Sequence, residues 1–185
     1  LKEKQMHPRD GLTKLAGRLK RAPDERADAA VAILIRPSPD DLEVLLVKRA
    51  EVEGDPWSGD MAFPGGKRCS QDRSIVDTAV REVMEETGID LKALEPLGYL
   101  ESLFSWVKNT FSVQPVLYLF EDNPTITLNY ELTKYTWTLM KELKKTRSQA
   151  VVKGWDSPVF RVGEDVVWGL TYRMLERLME MLGED

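Results

Sequence analysis

The chain has 185 residues, 42% hydrophobic and 31% charged, which is enough apolar material for one packed domain and too much for a disordered chain. Its 26 basic against 31 acidic residues leave a formal charge of −5, so bulk charge gives no support to a general nucleic-acid binder. One cysteine, Cys69, excludes an internal disulfide, and one histidine, His7, excludes sites built on two histidines and disfavours a Ser-His-Asp triad.

Residues 1–27 are rich in charge and lean basic, with Leu12, Leu15 and Leu19 at helical spacing among Lys14, Arg18, Lys20 and Arg21. The pattern predicts a helical extension, packed on the following domain (28–185) or on a partner subunit; an arm for polyanions has too few charges behind it. Residues 29–35 read as a strand and form the longest uninterrupted apolar run, far short of the roughly 20 residues that span a bilayer. No charged-then-apolar segment opens the chain. The expectation is a soluble, cytoplasmic protein without a membrane partner.

The turn residues Pro37, Ser38, Pro39, Asp40 and Asp41 lead into a second strand at 42–47, as a hairpin in a half-covered sheet. Residues 50–74, dense in Gly, Pro, Asp and Ser, read as a long functional loop. Residues 74–88 are the clearest helix: Ser74 and Asp77 make a capping-box pattern, Ile75, Ala79 and Val83 an apolar stripe widened by Val76, Val80 and Met84, and Gly88 a stop. Strands are expected at 97–103 and 111–120, a polar loop at 129–133, a strand or helix start near Trp137 and a short helix at 139–143. In the last stretch Trp168, Tyr172, Leu175, Leu178, Met179 and Leu182 share a helical face. The whole reads as a mixed α/β domain.

The chemistry concentrates in Arg81-Glu82-Val83-Met84-Glu85-Glu86-Thr87-Gly88-Ile89. Glu82, Glu85 and Glu86 stand at i, i+3 and i+4 and project from one side, where like charges cost a few tenths of a kcal/mol per pair. The apolar stripe stops the helix from rotating them apart. A divalent cation would turn that repulsion into coordination, and oxygen ligands without His or Cys select Mg²⁺ or Mn²⁺ over zinc. The same acids also suit a plain solvated helix face.

Ahead of the helix, Phe63-Pro64-Gly65-Gly66 closes the loop, and Asp72 lies between Gly66 and Arg81. Loop glycines, an acid, Arg-Glu-x-x-Glu-Glu and a terminal Gly resemble the Nudix box, whose pattern is Gly, five residues, Glu, seven residues, Arg-Glu, an apolar residue, any residue, Glu-Glu, any residue, Gly, apolar. From Arg81 to Ile89 every specified position matches; earlier, Asp72 replaces Glu, and eight residues rather than seven precede Arg81. Leu45-Leu46-Val47-Lys48-Arg49, Gly59-x-x-x-Phe63-Pro64-Gly65-Gly66 and Val167-Trp168-Gly169-Leu170-Thr171 are similar to the signature of the coenzyme A pyrophosphatase branch, except that Asp55 stands where that branch has Arg. The resemblance covers about residues 28–182.

The resemblance implies a Nudix fold, a mixed β-sheet between helices (α/β/α), and hydrolysis of a nucleoside diphosphate linked to another group, such as a coenzyme A derivative or ADP-ribose. It implies Mg²⁺ or Mn²⁺ held by Glu82 and Glu86, with Glu85 in the cluster and the Gly66 carbonyl as a further ligand. Arg81 would pair with Asp72 or a ligand Glu to fix its orientation. The general base would be a box acid, Glu82 or Glu85, or the loop acid Glu131. Arg49 would meet a substrate phosphate beside Gly65 and Gly66, although a solvated strand-end charge reads equally well there. Trp57 would stack on a base or pack internally, and Phe104 is expected in the core. Lys67 does not complete a P-loop, since Met61 and Arg68 occupy required positions. Homodimers are frequent in the family, with the N-terminal helix as the candidate contact. A catalytically silent nucleotide-binding module on the same fold is the alternative, against which the retention of every acid in the second half of the box argues; an unrelated acidic interaction domain is the third reading.

Overall fold

The computed structural model describes residues 8–39, 41–105 and 110–183; the lone histidine, His7, lies outside the described residues. A mixed sheet forms the centre. Strand β1 (Ala29–Ser38) pairs antiparallel with β2 (Asp41–Arg49) and parallel with β7 (Ser112–Leu119). On one side β2 carries β3 (Met61–Ala62) and β8 (Leu132–Leu139); on the other, β7 carries β5 (Gly98–Tyr99) and β6 (Leu103–Phe104). The short β4 (Gly65–Lys67) pairs antiparallel with the start of β1, setting Gly66 opposite Ala30.

Helix α2 (Ile75–Thr87) covers one face; Ile75, Ala79 and Val83 pack on Ala30, Ala32, Leu34, Leu45 and Val116. The other face meets α1 (Pro8–Arg18), α3 (Met140–Lys145), α4 (Gly169–Leu182) and a smaller sheet of β9 (Ser148–Val152), β10 (Trp155–Val162) and β11 (Asp165–Val167). The expected half-covered hairpin is therefore covered on both faces. Alternate residues of β1, Ile33 and Ile35 against Ala32 and Leu34, enter different cores, which is why its sequence is continuously apolar rather than alternating.

The caps of α2 follow the sequence closely. Ser74 Oγ accepts from the Asp77 amide at 3.0 Å, and Gly88, at φ 71°, donates its N–H to the Met84 carbonyl. The capping box is half made, because the Asp77 carboxylate is engaged by Arg73. Met84 leaves the apolar stripe and is 47% exposed. Of the later strands, 111–120 is β7, whereas 97–103 holds only the short β5 and the start of β6. Phe104, expected in the core, is 54% exposed on β6, a two-residue strand that gives it little cover. No helix among the described residues is long and apolar enough to cross a membrane.

Helix α1 lies against α4. Leu15 is fully buried, and Lys14 and Arg18 donate to the carbonyls of Leu182, Glu180 and Met181, where basic groups complement the C-terminal end of a helix. Leu15→Ala is expected to cost about 2–5 kcal/mol and lower Tm by about 5–15 °C, read by thermal and urea denaturation. An unchanged Tm would mean that α1 is a detachable arm.

Candidate active site

The last two turns of the box helix present Arg81, Glu82, Glu85 and Glu86, which meet different surroundings. Arg81 lies between them: Nε and Nη2 each donate to Asp72 at 2.9 Å, Nη1 to Glu82 at 2.8 Å and to Glu85 at 3.3 Å, and Nη2 also to the Lys67 carbonyl. Asp72, its side chain 4% exposed, further accepts from the Cys69 amide and the Thr78 hydroxyl. The Arg81 fork, with these two donors, holds the Asp72 carboxyl well below the usual carboxylate range despite burial. The one-residue-longer loop thus still delivers an acid to Arg81.

Glu86 faces inward and is only 3% exposed, with the Gly65 amide donating to Oε2 at 2.8 Å. Burial pushes its carboxyl up to about 8; the charges of Glu82 and Glu131 add to this, and the Gly65 N–H and Arg49 oppose it. Glu82 is also raised, by burial first and by Glu85 and Glu131, against the pull of Arg81. The two loop glycines make this approach possible. A Cβ on Gly66 would lie 2.6 Å from the Glu82 carboxylate carbon, and one on Gly65, at φ 152°, would run into the Ala30 carbonyl.

Glu82 and Glu86 form one wall of a cavity of about 520 Å³, together with Gly65, Gly66, Lys67 and Glu131. Arg49 lines it from the end of β2, where Nη2 donates to Asp55 at 2.8 Å and the buried Nε has no partner among the described residues. Burial works against the Asp55 carboxylate, yet bonds from Arg49 and the Trp57 amide hold it below its ordinary value. Aromatic and apolar side chains fill the remaining wall, including Phe63, Trp168 and Met174; Trp57 and Phe111 meet there with ring centroids 6.0 Å apart.

The structure therefore brings Glu82, Glu86, Glu131, Arg49, Gly65 and Gly66 around one cavity. It leaves Glu85 outside, 56% exposed and turned toward Arg81, and it sets Arg81 behind Glu82. Among the described residues no three His, Cys, Asp or Glu side chains come together as a ready ligand set. The pair that does meet consists of carboxylates that resist ionisation side by side, a donor chemistry suited to a hard divalent cation. Sequence reasoning missed Phe111 and the Arg49–Asp55 pair. Phe111 sits just ahead of a strand with no motif around it, and the pair is set by the path of a loop.

Residues 26–155 match the NUDIX domain family. The uncharacterized Nudix hydrolase NudL of Yersinia enterocolitica is 30% identical over 176 residues, covering 87% of this chain and 83% of NudL. The Nudix hydrolase RenU of M. smegmatis shares the fold with a TM-score of 0.59 at 20% identity, over 85% of this chain and 86% of that one. The NUDIX domain of Shewanella oneidensis NrtR, solved with ADP ribose, does so with a TM-score of 0.56 at 17% identity, over 86% and 90% of the two chains. With an α/β/α sandwich, the box helix and its glycines in place, the chain belongs to the Nudix hydrolase family.

Proposed function

We propose that this Nudix hydrolase cleaves the pyrophosphate linkage of a nucleoside diphosphate joined to a second group, a coenzyme A derivative, ADP-ribose or a similar compound, using Mg²⁺ or Mn²⁺. The observation that carries the reading is the buried Glu86 beside Glu82 on the wall of a cavity that also holds Arg49 and Lys67. Two acids that disfavour each other's charge suit a shared cation, and a diphosphate is the partner that cation and Arg49 can share.

Glu82 and Glu86 would hold the cation, with the Gly66 carbonyl as a further ligand. When bound, it would screen the diphosphate and lower the pKa of a coordinated water. Arg81, fixed by Asp72, orients Glu82 and keeps part of its charge balanced; Glu85 neutralises the rest of the Arg81 fork. Glu131, whose backbone carbonyl accepts from the Ala50 amide at 2.7 Å, stands on the cavity wall as the general base. Arg49, on the cavity wall, would meet a substrate phosphate through its guanidinium. Trp57 and Phe111 offer apolar rings to the organic half of the substrate.

The coenzyme A branch is supported by the convergence of its three segments, which contribute Arg49, Phe63 and Trp168 to the same cavity. Asp55, where that branch carries Arg, is the local departure, and here it binds Arg49. Incubation with coenzyme A, ADP-ribose and dinucleoside polyphosphates at millimolar Mg²⁺ or Mn²⁺, with products separated by chromatography, tests the proposal. Metal-dependent hydrolysis of one P–O–P bond is expected, releasing two phosphorylated products that together carry all the phosphates of the compound. Tight nucleotide binding without cleavage would favour the silent module instead, and neither binding nor cleavage would remove the proposal.

A further inference from the structure

The small sheet does not line the cavity, but the turn between two of its strands reaches the loop that does. Strands β9 and β10 turn through Lys153 and Gly154, at φ 51° and 85°, between the paired Val152 and Trp155. Positive φ at both centres is the two-residue hairpin turn that favours Asn-Gly or Gly-Gly. Lys153 is the only non-glycine among the described residues with positive φ, a conformation that costs a lysine about 1 kcal/mol.

Its ammonium reaches the loop that forms the cavity's rim. Nζ donates to the carbonyls of Pro56 at 2.8 Å and Ser58 at 3.0 Å and forms an ion pair with Asp60 Oδ1 at 2.8 Å. The same Asp60 oxygen accepts from Trp168 Nε1 at 3.0 Å, and the ammonium sits 5.6 Å from the Trp168 ring centroid. Asp55, Pro56, Trp57, Asp60 and Trp168 all line the cavity; Lys153 does not. One side chain, remote in sequence, thus ties the segment carrying Trp57 and the Arg49 partner Asp55 to the rest of the wall. A strained backbone kept where its side chain satisfies this many groups points to a role beyond the turn.

We propose that Lys153 is a positioning residue that sets the shape of the substrate cavity's rim; its kinetic consequence rests on the hydrolase reading, and its structural consequence does not. Lys153→Asn separates the two roles, because asparagine suits the turn better than lysine and removes the ammonium. Expected are an unchanged or higher Tm and about tenfold faster hydrogen exchange in a 50–60 peptide, with α2 peptides unaffected. KM for the best-cleaved compound of the panel should rise about tenfold while kcat stays within about twofold. Unchanged exchange in 50–60 would overturn the proposal, and so would faster exchange with an unchanged KM. Should the wild-type protein cleave nothing, the hydrolase reading falls while the exchange comparison alone decides whether Lys153 holds the rim.

Discussion

Glu86→Gln is expected to lower turnover by about three powers of ten and, without metal, to make the folded protein more heat-resistant at alkaline pH. The substitution keeps the shape of the side chain and an oxygen to accept from the Gly65 amide, so the local fold has no reason to change. It removes a charge that the surroundings resist. Burial pushes the Glu86 carboxyl from its ordinary 4.5 up to about 8, so between those values the folded state holds a proton that the unfolded chain has released. The stability associated with that proton is complete below about 4.5 and is lost as pH rises through about 8. Wild-type Tm in EDTA should therefore fall across this window, while the Gln variant stays flatter. Mg²⁺ at millimolar concentration should restore wild-type Tm at pH 8 and do much less for the variant. Near-normal kcat, or parallel pH profiles for the two proteins, would remove Glu86 from its assigned place.

The regularity of its helix is what allows Glu86 to be named as a candidate without coordinates. Ser74, Gly88 and the Ile75–Ala79–Val83 stripe orient α2 without ambiguity, and Glu86 follows. Spacing alone was less informative about Glu85. On a helix it lies about 60° from Glu82 and about 100° from Glu86, on the side away from Glu86, and this offset is enough to leave it exposed beside Arg81. The β9–β10–β11 sheet escaped sequence reading because β9, Ser-Gln-Ala-Val-Val, has no fully buried position and no apolar alternation, and β10 contains Pro158. Its turns at Lys153-Gly154 and Gly163 were the usable signal. The Lys153 contacts and the Arg49–Asp55 pair depend on where a long loop lies in space, which no local pattern records.

Asp72→Ala should be the most destabilising single change at the site, by about 3–5 kcal/mol, with a Tm lower by about 10 °C. The carboxylate it removes is almost wholly enclosed and accepts from Arg81 Nε and Nη2, the Cys69 amide and the Thr78 hydroxyl. Truncation leaves those donors facing a void, which is costlier than never having placed them there. Asp72→Asn preserves volume but offers an N–H₂ group to the guanidinium, so it should recover little. The pH dependence has the opposite sign to that of Glu86. Because Asp72 is held below its ordinary 3.8, its contribution is present above that value and disappears as acid protonates the folded state; the variants should lose the acid limb of unfolding that this group supplies. Turnover should fall as well. Arg81 would keep only Glu82, Glu85 and the Lys67 carbonyl as partners, and a guanidinium no longer fixed on its far side competes with the cation for Glu82. A variant that unfolds in urea at the wild-type midpoint would show that the clamp adds nothing to the fold. One that unfolds early yet retains full kcat where it is folded would show that Arg81 does not need Asp72 to orient Glu82.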